Sequence, residues 1–333
     1  MAMSPFLYDQ SPPRIESPAT LDAVVKQHFS PARVKDVYSL PNHLHTLCLV
    51  VLSNGHQLLL KSPPRPTTPL LRHEQSLLQT EFAVIELLRQ SGVPFVPAIL
   101  HHGSHTDLPD SSVLIRPHVV GRTRQDMEDQ LSDQDRDAID RQLGALAWKI
   151  GQHTSRSFGT FQQVEQGRGK ASWKEAFLSL VEGTLRDAED AFVNLPYAEI
   201  RSHIHQLSPV LEEITTPQLV LVDLGCPSQV ILDPEDKAIS GLVDFSYAVW
   251  GDAYMAQIFD EASAAVLEGY GSWSGGSQSW TTRQLLYAPL YATKQFMANA
   301  PCPGMLAIGL SRPSQRDIFD ETMRVPRTRR GDD

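Results

Sequence analysis

A chain of 333 residues with 41% hydrophobic content is long enough for one large two-lobed domain or two ordinary ones, and too apolar for a disordered protein. Its formal charge of −10 argues against a nucleic-acid binder that works through a broad basic surface, while phosphorylated small molecules stay open as ligands. Cys48, Cys226 and Cys302 lie far apart without a CxxC pair, and no window reaches the roughly 20 apolar residues of a membrane helix, so a cytoplasmic protein is expected.

In chain order, residues 1–20 are punctuated by Pro and Ser and read as a disordered tail, as do residues 321–333 with their charged, aperiodic RVPRTRRGDD. From Val34 to Lys61 short apolar runs read as antiparallel strands, with Ser53-Asn54-Gly55 at a hairpin turn. Leu77, Leu78, Phe82, Ile85 and Leu88 then recur at helical spacing, and Gly92 ends that helix. VPFVPAIL, a polar HHGSHTDLPDSS loop and the apolar strand SVLIRPHVV follow, and beyond Pro117 the pattern turns helical.

Ser132 can cap a helix lined by Ile139, Leu143, Leu146 and Ile150. Ser172-Trp-Lys-Glu175 is a capping-box sequence ahead of Phe177, Leu180, Leu185 and Phe192. A third helix carries Ile200, Ile204, Leu207 and Leu211. LVLVDLGCPSQVIL (219–232) then reads as strand, turn and strand, and is followed by KAISGLVDFSYAVWGD and two more helical stretches, YMAQIFDEASAAVLEGYG and TTRQLLYAPLYATKQFMANA. The fold class is α+β, with a strand-rich lobe over 21–116 and a helical lobe over 117–320.

Asp223 ends the strand LVLV and Asp244 ends ISGLV; the short connection predicts that these strands are neighbours and that both carboxylates share one rim. Lys61 closes a strand of the first lobe and Glu81 stands on the helix after it. Together the four match the needs of phosphoryl transfer: a lysine against phosphate charge, a glutamate to hold it, an aspartate for a hydroxyl proton, and another for Mg²⁺. Taken singly, each is an ordinary strand-end, helix-surface or turn residue. The HHGSH histidines have no HExxH helix or cysteine companion and read as solvated loop residues, and GSWSGG lacks the spacing of a nucleophile elbow.

GHQLLLKSPP, TEFAVIELL, VLIRPHVVGRT, LVLVDLGCPSQVILDPED and SGLVDFSYAVWGD resemble, in order and spacing, successive blocks of the aminoglycoside phosphotransferase and choline kinase-like family, in the form found in many fungal proteins. The resemblance covers about residues 34 to 300. It implies a two-lobed, protein-kinase-like fold with ATP between the lobes and a hydroxylated small molecule against the helical lobe. By this resemblance Lys61 is the phosphate-binding lysine, Glu81 its helix partner, Asp223 the catalytic aspartate and Asp244 a ligand of Mg²⁺. Leu114 to His118 would be the hinge, with Ile115 and Arg116 meeting adenine.

The chain also departs from the family. The catalytic block there reads His-Gly-Asp, four residues, then Asn; here Leu221 and Val222 precede Asp223 and the asparagine is absent. Gln229 takes its place, as a second metal ligand, if one residue such as Cys226 is inserted; Ser228 does if none is. SLPNHLHT lacks the glycines of a phosphate-covering loop. Two functions follow: an ATP- and Mg²⁺-dependent phosphotransferase acting on a small-molecule hydroxyl, in fungal secondary metabolism, or a kinase-fold protein that has lost transfer and serves as a binding or accessory protein or catalyses a different reaction in the same cleft. Glu261 and Glu268 are candidates to meet a cationic acceptor. Neither the acceptor nor the oligomeric state can be read from the sequence.

Overall fold

The structure, a computed structural model, describes residues 18–40, 44–64, 70–104, 112–271 and 279–288. Helix α1 (Pro18–Phe29) precedes strands β1 (Val34–Leu40), β2 (Thr46–Leu52) and β3 (Gln57–Ser62), helix α2 (Leu77–Gln90), and strands β4 (His101–Ser104) and β5 (Ser112–Pro117). The five strands form an antiparallel sheet in the order β1-β2-β3-β5-β4. The hairpin turn falls at Ser53-Asn54-Gly55 as expected, with Gly55 at φ +87°, a conformation that glycine adopts without steric cost.

Alternation along the strands sorts the sheet into two faces. Cys48, Val50, Leu52, Leu58, Leu60, Val113 and Ile115 lie on one face and are covered by Leu21, Val24 and Val25 of α1. Each such apolar side chain withdrawn from water contributes roughly 1.5–3 kcal/mol. Lys61 and Arg116 belong to the other face.

The apolar residues of α2 belong to a different core. Val84, Ile85 and Leu88 join the large cluster formed by Leu143, Leu146, Phe177 and Leu221 of the second lobe. Both ends of α2 are also tied to that lobe. Before its start, the Arg72 backbone N–H donates to Asp187 Oδ2 at 3.0 Å and the Arg72 guanidinium pairs with the same carboxylate. After its end, Ser91 Oγ lies 2.7 Å from His153 Nε2 and Lys149 Nζ donates to Gly92 O at 2.7 Å.

The second lobe runs β6 (Arg122–Thr123), α3 (Arg124–Met127), α4 (Asp133–Gly151), β7 (Gly159–Thr160), α5 (Phe161–Glu165), α6 (Trp173–Asp190) and α7 (Tyr197–Leu207). It continues with β8 (Gln218–Leu221), β9 (Val230–Leu232), β10 (Ile239–Leu242), β11 (Ala248–Gly251), α8 (Ala264–Tyr270) and α9 over 279–288. Ser132 and Ser172 cap α4 and α6, accepting from the backbone N–H of Asp135 and Glu175. Two small sheets, β10-β9-β6 and β7-β11-β8, close the lobe. Among the described residues no helix is long and apolar enough to cross a membrane.

Several expectations are corrected here. The strands that end at Asp223 and Asp244 are not neighbours: β8 pairs with β11 and β10 with β9, so the short connection between them spans two sheets. Residues 18–20 belong to α1 rather than to a tail, while 1–17 and 321–333 lie outside the described residues. His101 and His102 form strand β4, not a loop, because pairing with β5 and the stacking of His102 on Phe82 (ring centroids 4.0 Å apart) fix them there. Residues 253–259 form two short 3₁₀ turns before α8 instead of a helix, and Phe192 lies beyond α6, 91% exposed.

Candidate active site

Lys61, near the end of β3, and Glu81, in the second turn of α2, form a buried ion pair, Nζ to Oε2 at 2.6 Å. The lysine Nζ also lies 3.8 Å from Asp244 Oδ1. Burial opposes the lysine charge, but Asp244 and Glu81 outweigh it and raise its pKa above the ordinary value. Asp244 follows β10 at φ +75°, and its Oδ1 accepts from Ser246 N at 3.0 Å and Ser246 Oγ at 2.5 Å. Burial pushes this carboxyl up, but Lys61 and the two bonds from Ser246 prevail and hold it at about 2. Its side chain keeps 37% of its surface open to the cleft.

Across the cleft, Asp223 stands in the turn after β8. Val222 N donates to Tyr247 O, Gln257 N to Val222 O, Ile258 N to Leu224 O, Cys226 N to Asp223 O, and Gln229 N to Cys226 O, all at 2.7–3.0 Å. Leu221 and Val222, which stand where the family has His-Gly, are buried in the core. The turn is therefore held by its backbone and by apolar packing, not by a histidine. Val243 N donates to Gln229 O at 3.0 Å, joining this turn to the strand end that carries Asp244. Asp223, Gln229 and Asp244 line one cavity with Tyr247, so the shared rim exists although the strands do not pair. Gln229, not Ser228, reaches this cavity; Ser228 is exposed beside Cys226 Sγ at 3.2 Å.

Among the described residues no group of three or more His, Cys, Asp or Glu could hold a metal. One carboxylate with an amide oxygen is a donor set suited to Mg²⁺, which keeps waters and substrate phosphates among its ligands. Asp244 and Gln229 fit that description.

Ile115 does not fit its expected role. Its side chain is fully buried under α1, and its backbone is engaged on both edges, paired with Leu60 of β3 and with His101 of β4. Arg116 faces the cleft instead. It is 3% exposed and within electrostatic reach of Glu81 and Asp244; its Nη1 donates to Pro117 O at 3.3 Å, and its Nε is buried without a hydrogen-bond partner. Burial pushes the guanidinium pKa down against the pull of the two carboxylates. An unpaired buried donor costs about 1–3 kcal/mol.

Two site residues carry no clear sequence signal. His45, just ahead of β2, is buried near Lys61 and Asp244; burial, then Lys61, pull its imidazole down to about 3, so it is neutral at pH 7. Its position in a glycine-free link gives no motif. Tyr247, three residues after Asp244, lines the cavity; burial, then the Asp223 charge, push its phenol up. Of the two acidic candidates for an acceptor, Glu268 is paired with Arg141 at 2.9 Å. Glu261 is exposed, just past the 257–258 segment that bonds the Asp223 turn.

A family described as "Phosphotransferase enzyme family" matches residues 45–286. No curated protein matches the chain. Among solved structures, the chain is similar to aminoglycoside 2'-phosphotransferase-IIIa in its GDP complex (17% identity, 83% of this chain and 89% of that one, TM-score 0.57). It is likewise similar to aminoglycoside phosphotransferase APH(4)-Ia in a ternary complex with AMP-PNP and hygromycin B (16%, 91% and 94%, TM-score 0.56). A third is a macrolide 2'-phosphotransferase from Brachybacterium faecium (15%, 93% and 99%, TM-score 0.51). At these identities the likeness is one of fold.

Proposed function

Because the chain belongs to the phosphotransferase enzyme family, we propose that it transfers the terminal phosphoryl group of a nucleoside triphosphate, ATP by resemblance, to the hydroxyl of a small molecule. The observation that carries this reading is the buried Lys61–Glu81 pair with Lys61 3.8 Å from Asp244, which itself lines the cavity that also holds Asp223. The acceptor oxygen attacks the terminal phosphorus, its proton passes to the Asp223 carboxylate, and the bond to the bridging oxygen breaks to release the nucleoside diphosphate. Lys61, aimed by Glu81, donates to the phosphate oxygens. Asp244 and Gln229 would hold Mg²⁺, which when bound supplies positive charge to those oxygens. Among the described residues neither Cys48 in the sheet core nor Cys226 in the turn forms a disulfide, and a reducing, cytoplasmic setting is part of the proposal. A place in fungal secondary metabolism rests on resemblance alone.

A second reading, a kinase fold that binds without transferring, is favoured by one feature: Gln229 stands where the family has a shorter amide. Melting temperature and diphosphate release, measured with Mg-ATP and Mg-GTP, separate the two. A nucleotide-dependent rise in melting temperature, with release that disappears in Asp223→Asn, supports transfer. A rise without release, or no rise with either nucleotide, favours the second reading.

A further inference from the structure

Arg116 is a buried charge of the cleft that the phosphotransfer reading leaves without a task. It is an arginine at the penultimate position of β5, where the chain leaves the sheet to join the lobes, and it is almost wholly buried with an Nε that bonds nothing among the described residues. The carboxylates nearest it are engaged elsewhere: Glu81 Oε2 by Lys61 and Asp244 Oδ1 by Ser246. Its Nη1 donates to the carbonyl of Pro117, the first residue after it.

Register places it relative to the phosphate end. Arg116 stands opposite Leu59, and Leu114 opposite Lys61, so Arg116 lies two residues, about 7 Å, along the sheet from the level of the lysine, toward the exit of β5. A nucleotide whose phosphates reach Lys61 has its base at the level of Arg116. An adenine presents N7 as an acceptor but its N6 amino group as a donor, and a guanidinium can only donate, so just one of the two contacts can form. A guanine brings two acceptors, O6 and N7, spaced to suit the arginine fork.

We propose that the nucleotide site of this chain prefers guanine to adenine, with Arg116 donating to O6 and N7 of the base. This rests on the nucleotide-binding reading above and specifies its donor. It differs from a role on the phosphates, which would be indifferent to the base and satisfied by any cation.

Calorimetric titration of the full chain with the Mg²⁺ complexes of GDP, IDP and ADP tests it. IDP keeps O6 and N7 but lacks the 2-amino group. GDP and IDP are expected to bind at least about tenfold more tightly than ADP. Arg116→Met and Arg116→Lys should both erase that preference, the lysine because it keeps the charge without the fork. ADP binding as tight as GDP overturns the guanine assignment while leaving the nucleotide reading intact, and no binding by any of the three overturns both. IDP behaving like ADP while GDP binds tightly assigns recognition to the 2-amino group and overturns the role of Arg116. A preference that survives in both variants overturns the role of Arg116, and the wild-type comparisons decide the base preference even if a variant does not fold.

Discussion

The two halves of the cleft are specified differently. On the Lys61 side, position depends on side chains: a lysine at a strand end, a glutamate one turn into a helix, and a carboxylate 3.8 Å away, each holding the next by charge in a buried setting. On the Asp223 side, the path of the chain is drawn by backbone hydrogen bonds from Val222, Leu224, Cys226 and Gln229 to their neighbours and by the buried Leu221 and Val222. A site built from side chains cannot change identity without losing its geometry. One built from backbone can exchange His-Gly for Leu-Val and keep its course. The lysine, glutamate and aspartate expected from the resemblance are accordingly all present on the first side, while the block around Asp223 is altered on the second.

The largest effect should come from breaking the first side. Lys61→Met leaves Glu81 buried without its partner, and disrupting such a pair costs about 3–5 kcal/mol, measurable by urea unfolding, together with loss of nucleotide affinity. The same variant changes the response to acid. Asp244 has its carboxyl held at about 2, below its ordinary 3.8, so it contributes stability above that ordinary value which is lost as the pH falls toward 2. Without Lys61 that contribution shrinks, and the stability of the variant should fall less steeply between pH 5 and pH 2. Equal acid slopes for the two proteins would count against the Lys61–Asp244 coupling.

On the second side, Asp223→Asn should preserve nucleotide affinity and the fold, since the turn is held by backbone, while phosphoryl transfer drops about 10²-fold or more. Unchanged turnover would remove Asp223 from the chemistry. Next in size is the altered amide. Removing Cys226 together with Gln229→Asn restores the family spacing and shortens the reach toward Asp244, and Mg²⁺-dependent turnover should rise several-fold. Either change alone should do less, because Cys226 bonds both Asp223 and Gln229 through its backbone and neighbouring changes are not additive. The smallest effect lies outside the comparison: Ser132→Ala removes the cap of α4, lowering stability by about 1 kcal/mol without touching nucleotide affinity.

What the sequence discloses follows from how local each signal is. The hairpin at Gly55, the caps at Ser132 and Ser172 and the spacing of α2 are set by a few adjacent residues, and they stand where the pattern puts them. Lys61 and Glu81 are legible because a strand end and a helix turn define their directions. The error at Ile115 has one cause. With residues 1–20 read as a tail, α1 goes unseen, and so does the fact that one face of β5 is covered; the alternation that buries Ile115 and turns Arg116 to the cleft then has no reference. The pairing of β10 with β9 is a hairpin across Asp233-Pro234-Glu235-Asp236-Lys237 inside the 219–244 segment, whereas the partner of β8 is β11, which lies beyond that segment. His45 and Tyr247 owe their places to tertiary approach, which no spacing encodes.

The anchoring of α2 has a mechanical consequence. Fastened at one end through Arg72 to Asp187 and at the other through Ser91 and Gly92 to α4 and its C-terminal flank, the helix shares its apolar face with the second lobe while Phe82 stacks on His102 of the sheet. It is a bracket between the lobes. The glutamate that aims Lys61 is therefore held by both, and a change in the angle between them has to pass through the element that sets the 2.6 Å contact.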